Sequence, residues 1–438
     1  MRELLLLSNA LAEYELAQSY YDNDSPETFA SPRLQQMLGG LSQKFRLNYA
    51  ATPVDVLTER SVINGVWCET QAAQKIIDDL WETEQLGIEA KDLHGLTYRF
   101  GDGYLIAWPD PVTRELTVYR HDPRSVRVFY DPERPRVKLA AIHIWFDDED
   151  FLHITRYTPQ AAQTFRSADK RYTYDPENIQ LTAISTVPNP VPGVIPVFHF
   201  RNGTPYGRPE HLDAYGPQDA INKMMITMMS SIDFAGFPQR YALTESGLDS
   251  GPAHDFEDDT PAPDFESSPG STWLLSGANL KVGEFTPADS RNFLRPLESI
   301  VKQMSVVTDT PLHYFDMSGE PPSGAALRAA DFPLKKKVAD RHTRLSVTWR
   351  EFHNYVLAFH GIRAKTSVLW EPPGVVDDIE FWQTQQLKSL LGVPFEELLR
   401  EGGYVSAEIE TFDLPSLVQS APSPGGPESL VDEESNNP

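Results

Sequence analysis

The chain has 438 residues, enough for about three structural units at roughly 150 residues each and for a sizeable buried core. Hydrophobic residues make up 40% and charged residues 23%, the balance of a globular protein, and no run approaches the roughly eighteen apolar residues that a spanning helix needs. The net charge of -25, from 38 basic and 63 acidic residues, argues against a grip on nucleic acid by phosphate neutralisation, though not against a surface that DNA merely passes.

The acidity is concentrated. Between Tyr241 and Leu280 there is no Lys or Arg but there are Glu245, Asp249, Asp255, Glu257, Asp258, Asp259, Asp264 and Glu266. After Arg400 there is again no basic residue, while Glu401, Glu408, Glu410, Asp413, Glu428, Asp432, Glu433 and Glu434 follow. Cys68 is the only cysteine, so no intrachain disulfide forms and a cytoplasmic compartment is expected; the Asn202-Gly203-Thr204 glycosylation match then has no meaning. Leu4 to Leu7 imitates a signal peptide, but the run is short and gives way to Glu13, Tyr14 and Glu15, so an amphipathic helix is expected there.

Residues 1 to about 95 read as helical. Leu4, Leu7, Leu11 and Leu16 mark the first helix, Thr52 to Arg60 a second, and Thr70 to Leu86, with Ile76, Ile77, Leu80 and Trp81, a third. From Tyr98 the period shortens. Tyr104 to Trp108, Glu115 to Tyr119, Val126 to Tyr130, Ala140 to Phe146, Phe151 to Tyr157 and Val194 to Phe200 read as strands of an antiparallel sheet or small barrel, with Asp102-Gly103 among the turn signals. A helix follows, opened by Gly216-Pro217 and closed by Gly236 and Pro238, with Ile221, Met225, Met228 and Ile232 on one face.

The acidic segment, rich in Pro, Gly and Ser from Gly247 to Gly270, reads as an exposed loop or small hairpin module. Thr286 to Asp289 has capping-box spacing, and Phe293, Leu297, Ile300, Met304 and Val307 then mark a second amphipathic helix, in which Pro296 predicts a kink or a later start. A Thr/Pro loop runs from Thr308 to Pro322. A long helix then begins near Ser323, with Leu334, Val338, Leu345, Trp349, Phe352, Val356 and Phe359 as its stripe and Pro333 as a bend. At about 1.5 Å per residue it spans about 55 Å. A strand near Thr366 to Trp370, one or two helices from Asp377 to Arg400, and a disordered acidic tail from about Leu414 complete the chain.

Phosphate-cradling loops, a dinucleotide Gly-x-Gly-x-x-Gly, His-Glu-x-x-His, paired Cys-x-x-Cys and a Gly-x-Ser-x-Gly elbow are all absent from the sequence. Gly101-Asp102-Gly103 reads as a hairpin turn, and His143 and His153 as structural residues within strands. Asp147, Asp148, Glu149 and Asp150 read as a solvated hairpin tip, with a divalent-ion site as the sharper alternative. Lys335, Lys336, Lys337, Arg341 and Arg344 read as a solvated helix face.

Five motifs in fixed order add to this. They are Pro205-Tyr206-Gly207-Arg208 leading to Gln218-Asp219-Ala220-Ile221-Asn222-Lys223, then Pro238-Gln239-Arg240-Tyr241, then Thr308-Asp309-Thr310-Pro311-Leu312-His313-Tyr314. Pro322-Ser323-Gly324-Ala325-Ala326-Leu327 and finally Lys337-Val338 with Trp349 complete the set. Over roughly residues 30 to 405 the chain resembles the portal proteins of tailed bacteriophages, in the form common in phages of actinobacteria. The resemblance implies an α+β portal-type fold: an N-terminal helical arm (1–29), a wing of helices and antiparallel sheet (30–208), a stem helix (209–237) and a small clip insert (238–285). A returning stem helix (286–310), a tunnel loop (311–323), a long kinked helix with the wing's return (324–376), a short helical crown (377–412) and the acidic tail (413–438) follow.

The function implied is a homo-oligomeric ring, usually of twelve subunits, at one capsid vertex of the virion, assembled in the host bacterial cytoplasm. Double-stranded DNA would pass through it without sequence-specific binding. The terminase large subunit would dock first and a head-tail adaptor later, with major capsid and scaffolding proteins around the ring, and with no membrane, catalytic residue, metal or cofactor involved. The resemblance places Thr310, Pro311, Leu312, His313, Tyr314, Phe315, Ser318 and Gly319 in the tunnel loop, where the lack of Lys and Arg suits steric, fleeting contact with DNA. It places Asp255, Glu257, Asp258, Asp259, Asp264 and Glu266 at the motor-docking clip. Ile221, Met225, Met228, Ile232, Phe293, Leu297, Ile300 and Met304 are expected to find their apolar partners only on neighbouring subunits. Two readings from other classes stay open: a monomeric adaptor that binds a basic partner through the acidic insert, and a hydrolase using carboxylates such as Asp147 and Glu149.

Overall fold

The computed structural model describes residues 2–24, 47–170, 179–236, 240–243, 281–284, 291–315, 323–372 and 378–401. Helix α1 (Arg2–Tyr21) buries Leu4, Leu7, Ala10, Tyr14 and Ala17, spaced by three or four residues along one face. Leu16, expected on that face, is instead exposed together with Leu5 and Leu6. Small Ala10 and Ala17 allow close approach where a leucine-only reading of the pattern looked for bulk.

Helices α2 (Thr52–Glu59), α3 (Gln71–Thr83) and α4 (Leu86–Phe100) follow, the second capped by Thr70, whose hydroxyl accepts the Ala73 amide at 3.3 Å. Strand β1 (Ile63–Cys68) lies between α2 and α3 in a stretch expected to be helical. It pairs antiparallel with β12 (Thr366–Trp370), Trp67 opposite Ser367, so two segments distant in sequence are joined by a ladder that no local signal announces.

The β-rich region forms two antiparallel sheets. Strands β2 (Asp102–Pro109), β3 (Leu116–His121) and β9 (Val197–Arg201) form one, in the order β3-β2-β9. Strands β4 (Val126–Tyr130), β5 (Lys138–Phe146), β6 (Phe151–Tyr157), β7 (Ala161–Lys170) and β8 (Leu181–Pro188) form the other in sequential order. The last two strands escaped the sequence reading: β8 is an edge, exposed along nearly its whole length, and β7 buries only Ala162 and Ser167, so neither carries an apolar alternation. Asp102-Gly103 is not a hairpin turn. Gly101, at φ +85°, ends α4, and Asp102 is already a buried strand residue.

In the second half, α5 (Tyr215–Gly236) has Pro217 in its first turn, where the missing amide costs nothing, so Gly216-Pro217 starts the helix. Strands β10 (Arg240–Leu243) and β11 (Lys281–Glu284) pair antiparallel, with Arg240 opposite Glu284 and Leu243 opposite Lys281. Helix α6 (Arg291–Val307) contains Pro296. Helix α7 (Gly324–Phe359) runs 36 residues through Pro333, capped by Ser323, whose hydroxyl accepts the Ala326 amide at 3.4 Å. Helices α8 (Asp378–Leu390) and α9 (Phe395–Glu401) end the described chain.

The long helix holds the main core together. Leu334, Val338, Leu345, Trp349, Phe352 and Val356 are buried against Leu57, Leu93, Leu105, Phe198 and Phe200 of the N-terminal helices and the three-stranded sheet. Trp349, wholly buried, meets Phe200 edge-on at 4.9 Å between ring centroids. Each such side chain taken fully from water contributes about 1.5–3 kcal/mol, so α7 is fixed to the body by apolar area before any charge acts. Cys68 is also buried, its thiol pKa pushed up to about 11 by burial and by Asp78.

Candidate functional site

Helices α5 and α6 pack on each other. Ile221, Val301 and Met304 are buried together, and Met225, Leu297, Ile300 and Leu312 close over them. This corrects the expectation that these stripes find partners only on neighbouring subunits: two amphipathic helices returning past one another cover each other within one chain. Phe293 and Met228 are half-buried, and Ile232, far along α5, is 48% exposed.

The Thr/Pro loop after α6 also turns inward. Thr310 and Pro311 are buried, Leu312–Tyr314 is a single 3-10 turn, and Phe315 is 3% exposed, edge-on to Tyr49 at 6.0 Å. The Tyr314 hydroxyl accepts a hydrogen bond from Arg60, whose guanidinium also pairs with Asp331 of α7 at 3.0 Å. His313 Nε2 lies 3.5 Å from the other Asp331 oxygen. The described half of the proposed tunnel loop is therefore bound to the chain's own body, so Phe315, expected beside DNA, is a core residue. Ser318 and Gly319 lie outside the described residues.

A charge cluster ties the same junction from the other side. Glu210, its side chain 4% exposed, meets Lys337 Nζ at 3.1 Å and also the Arg341 guanidinium, and Asn202 Nδ2 donates to it at 3.1 Å. Lys337 additionally donates to the Thr308 carbonyl at 2.9 Å, a carbonyl just beyond the last turn of α6. Burial would raise the Glu210 pKa, but the two cations outweigh it and hold the carboxyl below its usual range. Two members of the supposed solvated basic face are thus partly buried partners of a buried carboxylate; Arg344, with Arg341, pairs with Asp340 on the helix surface. Replacing Glu210 by Gln should destabilise the chain by about 2 kcal/mol, because two partly buried cations lose their buried counter-charge while Thr308 and Asp340 still hold one each. Urea melts of the variant and wild type measure it.

Sequence reasoning missed Glu210, Arg60, Asp331 and a hub at Asp102. The spacing of Lys337 and Arg341, one helical turn apart, was the available signal for a shared carboxylate. Asp102 accepts hydrogen bonds from the Tyr14 hydroxyl at 2.7 Å, His199 Nε2 at 2.8 Å and the Gly207 amide at 2.7 Å. Burial would raise the Asp102 pKa, yet His199 and those two donors hold it low, while burial lowers the His199 pKa; His199 Nδ1 lies 2.8 Å from the Tyr130 hydroxyl. The Pro205-Tyr206-Gly207-Arg208 motif has its physical reason here. Gly207 lies on Gly101 so closely that a β-carbon on it would fall 1.7 Å from the Gly101 carbonyl oxygen.

The remaining candidates divide. Asp147 accepts the amides of Glu149 and Phe151 and lies 2.8 Å from His153 and 3.3 Å from Arg166; Glu149 pairs with Arg166 at 3.0 Å. Despite some desolvation, these partners lower the Asp147 pKa, opposite to what a general acid needs. Among the described residues no cluster could hold a metal ion, and no helix is long and apolar enough to cross a membrane. Asp255, Glu257, Asp258, Asp259, Asp264, Glu266 and the tail lie outside the described residues, although the β10-β11 pair brings the two ends of the acidic insert together.

The charged clusters described above link one element to another within a mixed α/β fold with antiparallel sheets. A family model described as "Phage portal protein, SPP1 Gp6-like" matches residues 8–389, and the chain belongs to that family. The portal protein of Mycobacterium phage L5 is 26% identical over 377 residues, covering 80% of this chain and 72% of its own length. That of Mycobacterium phage D29 is 24% identical over 354 residues, covering 76% and 68%. Among solved structures, a chain from the neck of an empty GTA particle computed with C6 symmetry aligns at TM-score 0.48 and 14% identity, over 84% of this chain and 95% of that one. A chain from the virion of the native gene transfer agent particle aligns at TM-score 0.43 and 15% identity, over 84% and 91%. The resemblance carried by the five motifs stands, and portal proteins are virion components.

Proposed function

We propose that the chain is the repeating subunit of a ring, of about twelve copies, at one capsid vertex, through which double-stranded DNA is packaged and later leaves. The observation that carries this reading is the family match running unbroken from residue 8 to 389, across both helices of the pair and the long helix. Residues 30–208 with 324–376 act as the wing, 209–237 and 286–310 as the stem, 238–285 as the clip and 377–412 as the crown. The part of the tunnel loop that meets DNA is confined to residues after Phe315, since those before it are bound within the chain.

Exposed apolar groups support association of copies. Leu294, Val306 and Val307 on α6, Phe332 and Val347 on α7, and Leu387, Leu390 and Leu391 at the end of α8 all stand in water in the single chain. The net charge of -25, multiplied around a ring, suits a channel that DNA must slide through without sticking.

The acidic insert is assigned to docking the terminase large subunit and then the head-tail adaptor. Replacing Asp255, Glu257, Asp258 and Asp259 by Asn and Gln should leave the ring intact and weaken motor binding, since surface charges steer partners more than they stabilise folds. A motor-binding titration at two ionic strengths checks it: the wild-type affinity should fall with salt and the variant's should not. Equal affinities throughout would remove the insert from the docking surface.

A further inference from the structure

A cavity of about 670 Å³ opens between the β1-β12 ladder and the later turns of α7. Arg350 and Asn354, one helical turn apart, form one wall; Arg363 and Lys365, on the segment entering β12, form another; Trp67 of β1 adds an apolar surface. The side chains of Arg350, Arg363 and Lys365 make no ion pair or hydrogen bond with any described residue. Glu69, also in the lining, accepts the Lys365 amide at 3.2 Å and is outnumbered by the three cations. Such a concentration of unspent positive charge is anomalous in a chain of net charge -25, where acidic groups are in excess.

We propose that this groove binds the chain's own acidic terminal segment, residues 428–434, from the same or a neighbouring subunit. That segment, Glu428-Ser429-Leu430-Val431-Asp432-Glu433-Glu434, joins four carboxylates to two apolar side chains, matching three cations beside an indole. Arginine suits carboxylate recognition through its planar fork of donors. Reach also favours the tail over the acidic insert. The insert is tied at both ends by the β10-β11 pair, whereas the segment follows α9 by residues 402–427, a tether of up to about 85 Å when extended.

Hydrogen exchange of the full-length chain tests this. In wild type at low salt the amides of residues 428–434 should exchange at least about tenfold more slowly than an unstructured peptide of that sequence. Arg350→Glu with Arg363→Glu should abolish the protection, as should Asp432→Asn with Glu433→Gln and Glu434→Gln, or salt near 0.5 M, where charges are screened within a few Å. Both arginines are exposed, so the melting midpoint should not move; if the charge-reversed pair fails to fold, Arg350→Gln with Arg363→Gln replaces it. Unprotected wild-type amides, or protection equal in the groove variants, would overturn the proposal. So would groove variants that lose affinity for a DNA duplex while tail exchange stays unchanged, which would make the groove a phosphate site.

Discussion

Replacing Gly207 by Ala is expected to destabilise the chain by about 3–5 kcal/mol, the range reserved for steric conflicts the backbone cannot relieve. The new methyl would sit 1.7 Å from the Gly101 carbonyl oxygen and 2.6 Å from Asn202 Oδ1, and neither side can retreat. Gly101 is at φ +85° as the terminus of α4, and the Gly207 amide is held at 2.7 Å by buried Asp102. Moving the loop would also release Asn202, which accepts the Arg208 amide at 2.7 Å and donates to Glu210. The effect would therefore spread from the sheet to the long helix. Gly216→Ala is the control: a β-carbon there meets nothing within 4 Å, and alanine favours the helix, so the change should be neutral or stabilising by up to about 1 kcal/mol. Denaturant melts of the two variants should differ several-fold in free-energy change; a Gly207→Ala protein as stable as wild type would contradict the packing described here.

Stability should fall steeply between pH 7 and pH 5. His94 is fully buried, its Nδ1 2.8 Å from the Ser61 carbonyl and its Nε2 accepting the Trp349 indole at 3.0 Å, so both nitrogens are committed to the neutral ring. Burial pushes its pKa down to about 3, and does the same to His353, whose Nε2 accepts the Trp81 indole at 3.3 Å. An unfolded histidine takes a proton near pH 6.5, so between about 6.5 and 3 the unfolded state binds more protons and stability drops as pH falls. At about 1.4 kcal/mol per pH unit, each of the two withdraws about 2 kcal/mol by pH 5, and His211 and His342, both lowered to about 4 by burial, add to this. Melts at pH 7, 6 and 5 should show an uptake of at least about two protons on unfolding near pH 5. His353→Gln keeps an acceptor for Trp81 and should lower that uptake by about one. A pH-independent midpoint over this window would contradict the buried neutral rings.

The elements that were legible in the sequence are those whose pattern is local. The stripes of α6 and α7, the start of the long helix near Ser323 and strands such as Val126–Tyr130 and Phe151–Tyr157 follow from spacing within a dozen residues. What stayed hidden is decided between distant segments. Strand β1 has its partner far along the chain, and Asp102 gains its role only when Gly207 and Tyr14 are brought to it. Lys337 and Arg341 of α7 looked solvated because their carboxylate, Glu210, is remote in sequence. The placement of the Thr/Pro loop beside DNA came from the resemblance, and its described part is anchored inward by Tyr314 and Phe315, whose partners are remote in sequence. The portal resemblance came from short motifs, and at Gly207 the structure supplies the steric reason for one of them.

The claim that these chains work as a ring is tested most directly by mass under native conditions at micromolar concentration. A closed assembly near 590 kDa is expected, about twelve times the 49.3 kDa chain, with a narrow distribution because cyclic symmetry closes the interface. A monodisperse species at 49.3 kDa, unchanged as concentration rises, would contradict it.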